Sequence, residues 1–313
     1  MSEVEQTEKR AAGATKQSAD VKGKLVEYLW HLKKNGLCEA TVKGYISKLN
    51  TLINYGVDIL DPEAVKLFLA GLTKWGGSSK QLAVTAYDGF VEMLEIEWEP
   101  PKYKRVEKLP FIPTEEEIDS LISAAGKKTA TLLQLLKETG MRIGEAVQTK
   151  WIDVDLQRRV ITVTPEKGSR PRILPMSEKL IAMLQRLPRK SELVFPASYK
   201  GITLNFYRQR KNIAEKLGNP RIRKISLHTF RHWKGTMEYH KTKDIIHVQQ
   251  ILGHRNIQST MIYITIDACL FQQLSQDFHV KTAKTVEEAE KLIETGFEFV
   301  HEFNGVMLFR KRK

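Results

Sequence analysis

Four residues between positions 227 and 263 carry side chains that could do chemistry together. The chain reads L-H-T-F-R-H-W at 227–233 and L-G-H-R-N-I-Q-S-T-M-I-Y at 252–263, which supplies His228, Arg231, His254 and Tyr263. His228 and Arg231 are three apart, so on a helix they share a face. Gly253 and His254 follow the apolar pair Ile251-Leu252 in the way a helix C-terminus ends. Tyr263 stands nine residues beyond His254, inside the short apolar segment 257–264. A cation, two imidazoles and a phenol on consecutive short elements suit an anionic centre attacked by a phenolic oxygen.

The ordered set extends upstream. Arg142 lies in T-G-M-R-I-G-E and Lys167 in E-K-G-S-R, ahead of H-x-x-R, L-G-H and the tyrosine. In this order and spacing the chain resembles the tyrosine recombinases, the phage-integrase and Xer type of site-specific recombinase. A lone H-x-x-R carries little weight; the ordered set is specific. The resemblance spans roughly residues 20–275, most closely 113–263. It implies six catalytic residues: Arg142, Lys167, His228, Arg231, His254 and Tyr263. Tyr263 would attack the scissile phosphorus, form a 3′-phosphotyrosyl link and release a 5′-hydroxyl. A free phenol has a pKa near ~10, so the site must favour its phenolate. Arg142 and Arg231 would hold the non-bridging oxygens, with His254 as a further donor. Lys167 would protonate the leaving 5′ oxygen. His228 would either receive the tyrosine proton or donate to the phosphate. The resemblance implies no metal, ATP or other cofactor, and double-stranded DNA as the partner. It also implies a homo-oligomer, a tetramer on two sites, since exchange needs four cleavages.

Three other readings compete. His228 and His232 are four apart, as in a zinc helix, yet there is no H-E-x-x-H and no ligand-rich cysteine set. A type IB topoisomerase would share the chemistry without strand exchange; the L-G-H spacing and a small N-terminal block favour a recombinase. A non-catalytic DNA-binding protein of the same fold would not need every catalytic position filled. One departure from the family pattern is Ile264-Thr265-Ile266 after the tyrosine, where many relatives are polar. It bears on the local helix geometry and on whether cleavage requires a partner subunit.

The elements that must position these residues are mainly helical with small β elements, an α+β chain. Residues 1–20 read as a disordered tail. Residues 21–99 form a helical block: Leu25, Leu29 and Leu32 have helical spacing, as do Tyr45, Leu49, Leu52 and Ile53. Asp61-Pro62 caps a helix through Leu72, residues 75–79 form a loop, and a further helix covers about 80–94. By resemblance this block is a DNA-binding bundle, with Lys43, Lys48, Lys74 and Lys80 as candidate phosphate contacts, weighed against ordinary solvated lysines. Residues 100–113 are a Pro-rich basic connector with Lys102, Lys104, Arg105 and Lys108.

The catalytic domain is placed at 114–278. Thr114 and Glu117 make a capping box, and an apolar helix ends at Gly140, just before Arg142. Glu145, three residues on, could hold the guanidinium. Residues 159–174 read as a β-hairpin with Lys167 at its tip. Helices are expected at 178–187, 203–217, 244–252 and 267–278, the last presenting Leu270, Phe271, Leu274 and Phe278 either to a neighbouring protomer or to its own domain. Residues 279–313 read as a βαββ appendage: a strand, a helix opened by Thr285 and Glu288, and two strands around Asn304-Gly305. The family pattern does not require it, and the sequence assigns it no role.

Charge singles out the same region. The net charge is +13, and residues 109–263 hold 27 basic against 14 acidic residues, so this segment carries the whole excess. Arg208, Arg210, Lys211, Lys216, Arg221, Arg223 and Lys224 are opposed only by Glu215. Such concentration reads as a footprint for a polyanion. A hydrophobic content of 42% over 313 residues allows two domain cores. Cys38 and Cys269 make no disulfide or metal pattern, and no apolar run approaches the ~20 residues of a membrane span. The polar start is not a signal peptide, and a cytoplasmic setting is expected.

Overall fold

The computed structural model describes residues 20–104, 108–166, 168–275, 278–303 and 305–312. Of the expected tail at 1–20, residues 1–19 lie outside the described residues, as do Arg105, Lys167 and Asn304, while residue 20 begins a helix. The chain divides after Lys108 into two compact units.

The first unit is helical. Helix α1 covers 20–34, α2 Glu39–Asn54, α3 Pro62–Gly71 and α4 Gly77–Met93. Their apolar faces meet in a core that includes Tyr28, Leu49, Leu52, Val65, Tyr87 and Phe90. Asp61 caps α3 by accepting the Glu63 N–H, with Pro62 as the first helical residue. Helix α4 starts earlier than its sequence suggests. Gly76 serves as N-cap in extended conformation, its carbonyl accepts the Ser79 and Lys80 N–H groups, and Gly77–Ser79 join the first turn. Of the candidate phosphate contacts, Lys43 pairs with Glu39, Lys48 lies over the Trp75 ring and Lys80 over Tyr103.

The second unit opens with α5, Glu115–Ala124, closed by the Thr114/Glu117 capping box. Helix α6 (Lys127–Thr139) ends at Gly140 in the left-handed conformation, and α7 spans Ile143–Gln148. The expected hairpin is part of a three-stranded antiparallel sheet of β1 (Val154–Asp155), β2 (Val160–Val163) and β3 (Arg172–Pro175), in the order β1-β2-β3. Strand β3 begins at Arg172 rather than Arg170, because the Arg170 N–H is bonded to Gly253 instead of to β2.

Helix α8 (Glu178–Gln185) is followed by α9, Tyr199–Lys216, which starts four residues earlier than expected. Ser198 caps it by accepting the Gly201 N–H, so Gly201 lies inside the first turn rather than at a boundary. A 3₁₀ turn at Pro220–Lys224 leads to α10 (Leu227–Thr242), capped by Ser226. Helix α11 (Ile245–Leu252) is capped by Asp244 and ends at Gly253. Helices α5–α10 and the sheet share one apolar core around Leu133, Leu136, Phe195, Phe206 and Phe230.

Helix α12, Gln258–Ser275, corrects the sequence reading. Tyr263 does not lie in a short segment ahead of a separate helix; one continuous helix carries it. No Gly or Pro interrupts 258–275, and β-branched residues such as Ile264, Thr265 and Ile266 lower helix propensity only slightly. Tyr263 and Ile266, three apart, are both buried against Val248 and Leu252 of α11. Farther along, Phe271 stacks on His240 of α10 at 3.7 Å between ring centroids, and Asp267 accepts from His240 and Lys243. This half of α12 therefore docks on its own domain. Nothing is described of the Leu274 and Phe278 side chains.

The appendage has the expected βαββ order: β4 (Phe278–Ala283), α13 (Val286–Glu294), β5 (Glu298–Phe303) and β6 (Val306–Arg312). All strand pairs are antiparallel, the sheet order is β4-β6-β5, and a bulge interrupts β5 between Phe299 and His301. Ala283, Ala289, Phe297 and Phe309 form its small core. Among the described residues, no helix is long and apolar enough to cross a membrane.

Candidate active site

Five of the six residues singled out in the sequence converge in the second unit, where α7, α10, α11 and α12 meet. The sixth, Lys167, lies outside the described residues; in sequence it falls between β2 and β3.

Arg231 is the hub. It is 1% exposed, yet among the described residues its guanidinium forms no ion pair with a carboxylate. Instead Nη1 donates to the Gly140 carbonyl at 2.8 Å and Nη2 to the Leu252 carbonyl at 2.7 Å. These are unpaired carbonyls at the C-terminal ends of α6 and α11, where the helix dipoles are negative. The two bonds fix the plane of the guanidinium and use two of its five N–H groups. Burial, and next the Arg142 charge, lower its pKa to about 10, which leaves it a cation at neutral pH.

Arg142 sits at the N-cap of α7. Its backbone N–H donates to Glu145 Oε2 at 2.9 Å, and Nη1 donates to Ser169 Oγ at 2.7 Å and to Glu145 Oε1 at 3.3 Å. The shortest bond to the Glu145 carboxylate comes from Arg172, whose Nη2 lies 2.6 Å from Oε2. Glu145 is therefore a bridge between two guanidinium groups. Its burial favours the neutral acid, but the hydrogen bonds and charge of Arg172 outweigh this and hold its pKa below the usual carboxylate value.

His254 follows Gly253, which ends α11 at φ +67. That left-handed conformation favours glycine, and a Cβ here would come within 2.9 Å of both Ser169 Oγ and Arg172 Nη1. The Gly253 carbonyl accepts from Ser169 Oγ at 2.9 Å and from the Arg170 N–H at 3.1 Å, which ties the strand-bearing turn to the helix end. His254 is buried, and its Nδ1 is 2.9 Å from Thr260 Oγ1. Burial and the charges of Arg231, Arg142 and Arg172 depress its pKa to about 3, so the ring is neutral near pH 7. If Thr260 donates to Nδ1, Nε2 carries the proton.

His228 lies one turn before Arg231 on α10 and is solvent-exposed as a whole residue, although its ring is partly enclosed. Desolvation of that ring, then Arg231 and Arg142, lower its pKa. His232, one turn further, packs edge-on to His228 at 4.7 Å between centroids. Tyr263 is 1% exposed, with Oη 3.4 Å from His232 Nδ1. Burial raises its pKa to about 12 against the opposing charges of Arg231 and Arg142. The site opens onto a cleft of about 360 Å³ lined by Arg142, Gly144, Glu166, Tyr207 and His228.

Sequence reasoning assigned no part to Ser169, Arg172, Thr260 or Gly235, and treated His232 as a bystander. Gly235 did leave a signal. A glycine inside a helix costs roughly 1 kcal/mol relative to alanine, so it points to close packing. The other residues act through contacts between elements distant in sequence. Part of the basic run is structural: Arg210 donates to the Ile225 carbonyl and lies over Tyr207, and Arg221 pairs with Glu117.

Residues 113–268 match the model of the phage integrase family. The tyrosine recombinase XerA of Thermococcus kodakarensis is 30% identical over 260 residues, covering 77% of this chain and 89% of that protein. The tyrosine recombinase XerD of Staphylococcus haemolyticus is 26% identical over 289 residues, covering 81% and 97%. The crystal structure of Lambda Integrase (residues 75–356) bound to DNA superposes with a TM-score of 0.61 at 19% identity, over 80% of this chain and 98% of that one.

Proposed function

The chain belongs to the phage integrase family of tyrosine recombinases, enzymes that break and rejoin DNA, and from that premise we propose that it works through a covalent 3′-phosphotyrosyl intermediate. The observation that carries this reading is the convergence of two guanidinium groups, two imidazoles and a buried phenol at one meeting point of helices. Such a set suits stabilising the pentacoordinate transition state that forms when a phenolic oxygen attacks a phosphodiester phosphorus.

In this reading Arg142 and Arg231 hold the non-bridging phosphate oxygens, where negative charge accumulates. Both are pre-oriented by protein bonds, so little reorganisation is needed when the phosphate arrives. His254, neutral and bonded through Nδ1 to Thr260, donates from Nε2. His228, on the open side of the cleft, donates to the same phosphate. Lys167, between β2 and β3 in sequence, protonates the leaving 5′ oxygen. Tyr263 is the nucleophile. The phosphodiester energy stays in the protein–DNA link, so the 5′-hydroxyl of another strand reseals it without ATP or a metal. The partner is duplex DNA, and full exchange employs a homotetramer on two sites.

Covalent trapping tests this. The protein is mixed with randomly nicked DNA in EDTA and denatured, and the DNA that stays attached is sequenced, with Tyr263→Phe as control. Attached DNA clustered at one sequence, absent for the variant, is the expected result. Attachment without sequence preference would indicate a topoisomerase. No attachment together with duplex binding would indicate a non-catalytic DNA-binding protein.

A further inference from the structure

We propose that His232 is the group that takes the proton from Tyr263 as the phenolic oxygen attacks. The inference rests on the reading of Tyr263 as nucleophile and adds a residue to it.

The geometry is a slot built on one face of α10. Gly235 and His232 are three residues apart, so they lie one above the other. A Cβ at position 235 would stand 2.5 Å from Tyr263 Cζ, 2.7 Å from Cε2 and 2.8 Å from Cε1. The phenol ring therefore lies flat on bare helix backbone, and it can do so only because residue 235 has no side chain. With the ring held there, Oη falls 3.4 Å from His232 Nδ1. Among the described residues, His232 is the hydrogen-bond partner of this hydroxyl. Tyr263 is 1% exposed, which limits proton loss to bulk water. Long contacts of this kind tighten when substrate binds.

The surroundings suit a proton acceptor. The groups facing His232 are His228 and Arg231 on α10 itself and Tyr263 on α12, with Arg142 acting on Tyr263 from the N-cap of α7. The cations favour a phenolate, while burial first, and then His228 and Arg231, lower the His232 pKa and keep the ring neutral and able to accept. A bound phosphate places negative charge beside the ring and raises its basicity when the proton must move. His228 packs edge-on against His232 at 4.7 Å and is open to solvent. His228 is thereby free to face the phosphate.

The step balances. A lone pair on Oη forms the new P–O bond as the Oη proton passes to Nδ1 of neutral His232. The P–O5′ bond breaks, and its electron pair leaves on O5′, which receives a proton from the general acid. His232 then holds an imidazolium proton, which returns to the phenol on religation.

The test is single-turnover formation of the covalent adduct on a nicked duplex, from neutral to alkaline pH, with His232→Asn. Asparagine keeps a polar atom near the Nδ1 position and cannot take the proton. We expect unchanged duplex affinity, cleavage slowed by about 10²-fold or more, and a rate that rises in proportion to hydroxide. A substrate with sulfur at the 5′-bridging position, whose thiolate leaves unprotonated, should rescue Lys167→Ala and leave His232→Asn slow. Should His232→Asn fold poorly, His232→Gln is read by the same criteria. The proposal is overturned if the variant cleaves within about threefold of wild type with an unchanged pH profile, or if His228→Asn acquires the hydroxide dependence instead. A wild-type protein that forms no adduct on any DNA would remove the nucleophile reading itself, and an adduct retained by Tyr263→Phe would move the attack to another residue. Neither resembles a slow, hydroxide-dependent His232 variant on a working enzyme.

Discussion

The Ser169 hydroxyl donates to the carbonyl oxygen of Gly253 at 2.9 Å, and Ser169 Oγ itself accepts from Arg142 Nη1 at 2.7 Å. One buried hydroxyl thus joins the turn after β2, the end of α11 and the first arginine of the site. Ser169, two residues after Lys167 in sequence, thereby holds the segment before β3 to the helix end that precedes His254.

Ser169→Ala should therefore slow cleavage more than it weakens DNA binding. It removes one of the two donors to the Gly253 carbonyl and the nearer acceptor of Arg142 Nη1, a stability cost of about 0.5–1.5 kcal/mol. Single-turnover cleavage and urea unfolding on the same preparation check both parts. Unchanged cleavage would show that the turn keeps its place without this bond.

Glu145→Gln should destabilise the fold by about 3–5 kcal/mol at neutral pH, because Arg172 and Arg142 then lose the one carboxylate that compensates them in a buried site. The pH dependence has a definite sign. A folded-state pKa below 4.5 means that stabilisation by Glu145 is complete above that value and is lost as pH falls through the lowered pKa. The stability gap between wild type and Glu145→Gln, measured by urea unfolding, should narrow below pH 4.5. A gap that stays constant with pH would mean that Glu145 acts by packing alone.

Gly235→Ala places a methyl group 2.5 Å from the Tyr263 ring. The ring must shift, since overpacking of this kind costs about 1–3 kcal/mol. We expect a folded protein that binds duplex DNA with unchanged affinity and forms covalent adduct at least ~10-fold more slowly, in line with the rate cost of misplacing a reacting group. Adduct formation at the wild-type rate would show that the slot does not position the nucleophile.

Neighbouring residues in the basic run should behave differently. Arg210 donates to the Ile225 carbonyl and is half-buried over Tyr207, whereas Lys211 is exposed. Arg210→Ala should lower stability by about 1.5–3 kcal/mol, the range for a charge-assisted bond. Lys211→Ala should leave stability unchanged and reduce the slope of log K against log salt by about 1, the loss of one phosphate contact. Binding assays across a salt series, paired with thermal melts, separate the two. Equal effects on stability would place both residues in one class.

Much of this was legible along the chain. Caps at Asp61, Thr114, Asp244 and Thr285 mark helix starts because the capping bond is local. Five of the six ordered residues meet in one place, and their motifs were legible because each is short and contiguous. Errors fell where local signals run out. Gly76-Gly77 resembles a loop, and only the packing of α4 extends the helix through it. Ile264-Thr265-Ile266 put the local helix geometry in question until burial of Tyr263 and Ile266 on one face sets the period. The bridge from Glu145 to Arg172 and the bond from Ser169 to Gly253 span 27 and 84 residues, and no periodicity reports such contacts.

The strand order of the appendage has a consequence for biogenesis. Strand β6, the last to be synthesised, lies between β4 and β5. As the polypeptide leaves the ribosome, β4, α13 and β5 emerge while neither strand has a partner for its ladder. The helices that hold Arg142, His228, Arg231, His254 and Tyr263 are already out by then. The recombinase half can therefore condense during translation, whereas the appendage closes in a single late step when β6 inserts. Until that insertion, both flanking strands present unpaired edges, which makes this interval the one most open to chaperone capture or misassociation.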